Sequence, residues 1–283
     1  MIFIDCYNCG SSQTDFYAAE NGFKLVKCCS CGLVYVNPRP SQKIIDEAQK
    51  IGVHQGDYPL DVIGKFNASK VNTYLKILRD LYKNHITDRE KTWLDIGCGY
   101  GEFIHAIHEF SHGNIKATGL EPNIQKQKSA RARGLNVRCF NLRNHDKKYD
   151  YISLLNVYSH LSDPPEFIRQ CKYILKTRGE LLIETGDTAN LTADEHYRPF
   201  YLPDHLSYAS EEIVSQILDR CGFRIIAKKK YPASPFNIKK FNIIKELLKV
   251  FLPHKNSKIS QLFNEYRKSR KYITDMYIRA VSI

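Results

Sequence analysis

Three groups of residues have the types and spacing to do chemistry. Cys6-Tyr-Asn-Cys9-Gly10 and Cys28-Cys29-Ser-Cys31-Gly32 form two C-x₂-C pairs separated by 18 residues. Thiolates two residues apart on a tight turn grip one ion, and a second pair completes a tetrahedral S₄ site. Cys6, Cys9, Cys28 and Cys31 are the expected Zn²⁺ ligands, with Cys29 able to exchange roles with Cys28. Four protein ligands leave no position for a reacting water, so this metal is structural. The second group is Leu94-Asp95-Ile96-Gly97-Cys98-Gly99-Tyr100-Gly101, followed 24 residues after Gly97 by Glu121. Three glycines in five residues let the backbone take positive φ and approach a ligand with no Cβ in the way. A carboxylate at the tip of the following strand accepts hydrogen bonds from a ribose diol. The third group is Asp204-His205, with His160 upstream. A neighbouring carboxylate and imidazole can supply a base near neutral pH; the bland alternative is a histidine that caps the next helix or fills a core niche.

Elements must position these residues. Apolar runs predict strands over 92–96, 115–120, 136–140, 149–155, 180–184, 223–228 and 275–282. Helix-compatible stretches fall at 101–110, 123–133, 166–175 and 210–222. This alternation implies an α/β fold, a parallel sheet with helices on both faces and a site beyond the carboxyl ends of the strands. Helical spacing of Val71, Leu75, Leu78 and Leu81 predicts a helix over 66–84, suited to a lid or to plain packing. A short helix is expected over 41–50, a linker at Asn37–Pro40 and a loop over 52–64. Asp163-Pro-Pro-Glu166 reads as a helix N-cap with prolines in the first turn. Cys98, Cys139, Cys171 and Cys221 lie in apolar segments and read as core.

The pattern Asp95-Ile-Gly97-Cys-Gly99-Tyr-Gly101 resembles the first motif of class I S-adenosylmethionine-dependent methyltransferases. Asp150-Tyr-Ile-Ser-Leu-Leu-Asn156-Val157-Tyr-Ser-His160 is similar to the fourth-strand motif, and Leu175–Thr185 to the turn and strand that follow. The resemblance covers about residues 90–230. It implies a Rossmann-like seven-stranded sheet, six strands parallel and the last antiparallel beside the sixth. It also implies a cofactor site of Asp95, Gly97, Cys98, Gly99, Gly101, Glu121, Pro122, Asn141, Asn156 and Val157, with S-adenosyl-L-methionine as cofactor. Tyr197–Ser210 resembles the Tyr…acid-His…Tyr segment of zinc-ribbon-bearing sugar methyltransferases, which maps substrate-side roles onto Tyr201, Asp204 and His205, with His160 as a further candidate. Those that C-methylate nucleotide-linked deoxysugars carry a large extra C-terminal domain for which this chain has no room. The expectation is therefore O-methylation of a sugar or related polar acceptor.

Composition sets the remaining bounds. The 283 residues suffice for one core and a satellite domain, read as a ribbon (1–40), a helical connector (41–90), a cofactor domain (91–231 with 272–283) and a basic insertion (232–271). Residues 224–271 hold 14 Lys/Arg and 2 Asp/Glu, a surplus equal to the whole net charge of +12. Phe241, Ile244, Leu247 and Phe251 recur at helical spacing with lysines interleaved, so the insertion reads as an amphipathic helix. It could cover the site, grip an anionic or nucleotide-linked acceptor, or touch anionic lipid at the membrane periphery. A zinc ribbon with a basic segment is also a nucleic-acid toolkit, making an RNA methyltransferase the main rival. Nine cysteines with no apolar leader or membrane span point to a reducing, cytoplasmic compartment.

Overall fold

A computed structural model describes residues 1–83, 90–140, 142, 145, 147–196, 198–232 and 274–283. The chain begins with an antiparallel hairpin, β1 (Thr14–Glu20) and β2 (Phe23–Cys28), joined by Asn21-Gly22 at φ 51° and 77°. A two-residue hairpin loop of this kind needs positive φ at both positions, which Asn-Gly supplies. β3 (Val34–Val36) adds to β2, and α1 (Gln42–Ile51) ends on Gly52, whose N–H closes onto the Ala48 carbonyl at φ 79°. Residues 52–64, expected as loop, contain a small hairpin of β4 (Val53–His54) and β5 (Leu60–Asp61). α2 (Ala68–Tyr82) follows, its N-terminus capped by the Asn67 side chain accepting from the Ser69 N–H.

The α/β alternation then runs as the apolar pattern predicts. It comprises β6 (Lys91–Ile96), α3 (Glu102–Phe110), β7 (Ile115–Glu121), α4 (Ile124–Ala132), β8 (Val137–Cys139), β9 (Tyr149–Leu155), α5 (Pro164–Tyr173) and β10 (Leu175–Gly186). After β11 (Ser207–Tyr208) come α6 (Glu211–Arg220), β12 (Phe223–Pro232) and β13 (Thr274–Ser282). The main sheet has seven strands in the order β12-β13-β10-β9-β6-β7-β8. The ladders β10–β9, β9–β6, β6–β7 and β7–β8 are parallel, while β13 runs antiparallel between β10 and β12. The expected Rossmann-like topology with an antiparallel last strand is therefore present. The crossover from β6 to its neighbours on both sides opens a crevice at the carboxyl ends of β6 and β9, where α/β sheets bind ligands.

Period-two alternation feeds two cores. Leu94, Ile96, Ile152, Leu154 and Ile183 face α5 and α6, where Ile168, Cys171, Val214 and Ile217 meet them. Trp93, Leu155 and Leu182 face the opposite side and pack on Leu75 and Leu78 of α2 and Phe103 and Ile107 of α3. The helix at 164 starts as expected, since the Asp163 carboxylate accepts the Glu166 N–H at 3.0 Å with prolines in the first turn. Cys98, Cys171 and Cys221 are buried, but Cys139 is exposed because β8 is the edge strand. Residues 233–271 of the expected basic insertion lie outside the described residues. Among the described residues no helix is long and apolar enough to cross a membrane.

Candidate active site

The glycine turn leaves β6 directly above a buried polar relay. The Trp93 indole N–H donates to the Ser153 hydroxyl at 2.9 Å, and that hydroxyl donates to Asp95 Oδ1 at 2.6 Å. Asp95 is 2% exposed. Burial pushes its carboxyl up to about 7, Ser153 opposing and the charges of Glu121 and Glu102 adding. The three glycines have separate reasons. A Cβ on Gly97 (φ 70°) would lie 2.4 Å from Val157 Cγ2, so this glycine lets the turn close on the loop after β9. A Cβ on Gly101 (φ 87°) would meet Leu135 Cδ1 at 2.2 Å, where α3 starts against the helix before β8. A Cβ on Gly99 (φ 55°) would meet no protein atom within 4 Å. That glycine faces open space.

Glu121, at the tip of β7, is 4% exposed and ties the turn to the next helix. Its Oε2 accepts the Gly99 N–H at 2.7 Å and its Oε1 accepts the Asn123 N–H at 2.8 Å. Burial raises its pKa against those two N–H groups and Lys126. Each carboxylate oxygen keeps a second lone pair. A cavity of about 370 Å³ opens here, and Gly97, Cys98, Gly99, Glu121, Pro122, Asn156 and Val157 all lie on its wall. Asp95 and Gly101 do not; they brace the turn from below and behind. Asn141 lies outside the described residues, and its neighbour Phe140 is on the wall. The segment 62–65 roofs the cavity, held by the Tyr100 hydroxyl donating to the Gly64 carbonyl at 2.9 Å and by the Asn67 N–H donating to Glu102 at 2.9 Å.

Asp204, between two histidines, lines the same cavity. Its Oδ1 is 3.1 Å from His160 Nδ1 and 3.0 Å from His54 Nε2, and its own carbonyl is 2.9 Å from His160 Nδ1. A carbonyl only accepts, so His160 Nδ1 carries a proton and Nε2 is the nitrogen free to take one. Burial would lower the His160 pKa, but the Asp204 carboxylate and its hydrogen bonds carry it above the ordinary imidazole value. Burial works against the Asp204 charge, and the histidines more than offset it, holding the carboxyl well below its usual range.

The remaining expected residues stand elsewhere. His205 rests edge-on against His160 at 4.7 Å between ring centroids but is not on the cavity wall. Burial first, then the charge of His160, push its pKa down to about 3. Tyr201 is 45% exposed and also off the wall. Of the four expected substrate-side residues, Asp204 and His160 line the cavity, and His205 and Tyr201 do not. His54, 3% exposed, completes the cluster from a segment that the sequence pattern does not mark as functional. Its signal was slight: one histidine after a helix-ending glycine in a segment read as loop.

The four cysteines meet as expected. Their Sγ atoms all lie within 4.8 Å of one another, with Cys6–Cys31 and Cys9–Cys28 at 3.5 Å. Zn–S bonds of about 2.3 Å in a tetrahedron put sulfurs about 3.8 Å apart, so the cluster fits that ion. Cys29 is exposed and outside the cluster, which leaves Cys28 as the third member. Gly10 (φ 75°) and Gly32 (φ 74°) return N–H bonds to the Cys6 and Cys28 carbonyls at 2.7 and 2.9 Å. Burial works to raise the Cys28 thiol, and the N–H groups of Cys31 and Ser30 with the neighbouring thiols bring it down to about 7.

Comparison with known proteins agrees with this geometry. A family model described as a methyltransferase domain matches residues 69–228. The chain is 27% identical over 139 residues to a tRNA U34 carboxymethyltransferase from Helicobacter acinonychis, covering 43% of this chain and 52% of that one. It is 24% identical over 123 residues to a ubiquinone biosynthesis O-methyltransferase from Serratia proteamaculans, covering 38% and 50%. The chain thus spans about half the length of the curated relatives it matches. Among solved structures it shares its fold with Haemonchus contortus phosphoethanolamine N-methyltransferase 2 (TM-score 0.53, 17% identity, 75% of this chain and 52% of that one). It shares it too with the [4+2]-cyclase SpnF (TM-score 0.51, 17% identity, 74% and 80%), so the fold alone does not fix the chemistry. The family match spans more than half of the residues and includes the glycine turn, Glu121 and the strands that hold them, and the chain belongs to the methyltransferase-domain family.

Proposed function

We propose that the chain transfers the methyl group of S-adenosyl-L-methionine to a hydroxyl of a sugar, a nucleotide-linked sugar or a related small polar acceptor. The observation that carries this reading is the placement of Glu121 and the His54–Asp204–His160 cluster on one cavity. The first fits a nucleoside and the second a proton transfer. Gly99 presents open space, and Glu121 keeps lone pairs for a ribose diol. The buried carboxylates of Glu102 and Glu121 and the half-buried one of Asp204, all on the cavity wall, suit a cofactor that carries a sulfonium cation.

In this reading the residues divide the work. Gly97, Cys98, Gly99, Glu121, Pro122, Asn156 and Val157 hold the methyl donor, with Asn141 at the adenine. Asp204 keeps the His160 proton on Nδ1 and raises the basicity of Nε2, which takes the acceptor's hydroxyl proton as its oxygen attacks the methyl carbon. When bound, S-adenosyl-L-methionine would supply the methyl carbon and would take up the electron pair of its C–S bond as that carbon is transferred. His54 holds Asp204 from its other side. Cys6, Cys9, Cys28 and Cys31 bind a structural Zn²⁺ that pins the ribbon. The division into ribbon, connector, cofactor domain and basic insertion belongs to the same proposal, with the insertion supplying cations for an anionic acceptor.

The test is an acceptor screen with nucleotide sugars and surface-glycan precursors, read by mass for a gain of one methyl group, about 14 Da, in wild type and Asp204→Asn. Methylation by wild type, strongly reduced in the variant, supports the reading. Methylation of RNA with a steep salt dependence and none of small acceptors would replace it with the nucleic-acid alternative.

A further inference from the structure

The tip of the β1–β2 hairpin touches the segments that carry His54 and Asp204, two of the three members of the cluster. Asn21 is 5% exposed. Its side-chain amide donates to the Leu202 carbonyl at 3.0 Å, two residues before Asp204. Its Oδ1 accepts the Tyr58 N–H at 2.8 Å, in the hairpin loop that returns from His54. The neighbouring Glu20 accepts the Phe200 and Leu202 N–H groups at 2.7 and 3.2 Å. The approach is close. A Cβ on Gly56 would lie 2.4 Å from the Asn21 carbonyl oxygen, and one on Gly22 would lie 2.7 Å from Asp57 Oδ1.

These contacts have an obvious lesser explanation, because Asn-Gly is a favoured pair for a two-residue hairpin turn whatever it touches. That explanation requires only the backbone of residue 21. It does not account for a buried side chain whose donor and acceptor are spent on two different loops, one bearing His54 and the other Asp204. Among the described residues neither loop is held to the other by a strand ladder, since β4 pairs there only with β5 and β11 only with β3. The Asn21 side chain thus bridges the two loops, beside the Glu20 contacts to the 200–202 segment and the Asp57 N–H to the Asn21 carbonyl at 3.4 Å.

We propose that Asn21 is a positioning residue that fixes His54 against Asp204, and through Asp204 orients His160. The inference rests on the reading of that cluster as the proton-transfer site and deepens it by making the ribbon part of the acceptor end. Asn21→Gly separates it from the lesser explanation, because glycine accepts φ 51° without strain while losing only the side chain.

The experiment follows the imidazole titrations of the full chain by ¹⁵N–¹H correlation on histidine-labelled protein, with His160 assigned through His160→Gln. Adenosyl-homocysteine affinity, zinc content and thermal midpoint are measured alongside. In Asn21→Gly the His160 midpoint should fall toward the ordinary imidazole value, with cofactor affinity changed less than about twofold and zinc content unchanged. Asn21→Asp, which keeps the acceptor for Tyr58 and loses the donor to Leu202, should move it in the same direction. A His160 titration in folded Asn21→Gly that superimposes on wild type overturns the inference. A His160 midpoint unmoved by Asp204→Asn would instead remove the cluster reading itself, a result distinguishable from the first.

Discussion

Two of the three glycines in the turn should fail in opposite ways. Gly99→Ala places an L-residue at φ 55°, which costs about 1–2 kcal/mol of stability, and adds no clash because nothing lies within 4 Å of the new Cβ. That methyl group instead enters the space assigned to the cofactor. Overpacking there costs about 1–3 kcal/mol, or about 5- to 150-fold in affinity. Gly97→Ala carries the same backbone cost at φ 70° and also drives a methyl to 2.4 Å from Val157 Cγ2, within the protein. Its stability loss should be larger, about 2–5 kcal/mol. Urea unfolding reads the first quantity and calorimetric titration with adenosyl-homocysteine the second. Gly99→Ala should thus be the milder variant in stability yet clearly impaired in binding. If folded Gly99→Ala binds as tightly as wild type, the glycine turn does not face the cofactor and the site assignment is wrong.

Two further outcomes follow from the buried groups. Purified wild type should carry about one zinc per chain by elemental analysis. Cys29→Ser should keep that zinc and Cys28→Ser lose it, and equal loss in both would contradict the ligand set. His196 is 7% exposed with Nε2 3.1 Å from the Thr188 carbonyl, and burial pushes its pKa down to about 4. Its folded pKa lies below the unfolded value of about 6.5, so the unfolded chain takes up the proton first. The contribution is present above about pH 6.5 and is lost as pH falls toward 4. Between pH 6.5 and 5 it should amount to about 1–2 kcal/mol, and His196→Gln should flatten the stability slope by that amount. Parallel pH profiles for the two proteins would show that His196 does not titrate as its burial requires.

The legible parts of this chain were those where chemistry and period coincide. The apolar runs of β6 and β7 enclose the glycine turn and end in Glu121, so strand, turn and carboxylate support one another. The cysteine pairs were legible because their spacing and trailing glycines encode a local turn. Less legible were elements whose form depends on distant partners. β4 and β5 have two residues each and are steadied across space by Asn21, so no local pattern marks them, and His54 stayed hidden with them. β10 begins at Leu175, ahead of three exposed residues, because Leu175 pairs with Tyr149 of β9 before a register shift carries the ladder on at Glu180. Cys139 looked like core in an apolar segment, and only the strand order makes β8 an edge. Within the Asp204-His205 pair, sequence could not say which side chain reaches the cavity. Tertiary contact with His160 and His54 decides that in favour of Asp204.

In the proposed function, one cavity holds the nucleoside of a methyl donor on Glu121. Calorimetric titration of adenosyl-homocysteine into wild type and Glu121→Gln tests this placement most directly. Wild type should show one site per chain, and the variant at least about tenfold weaker binding, from the loss of charge-assisted hydrogen bonds to the ribose. Absence of binding to wild type, or equal affinity in the two proteins, would contradict it.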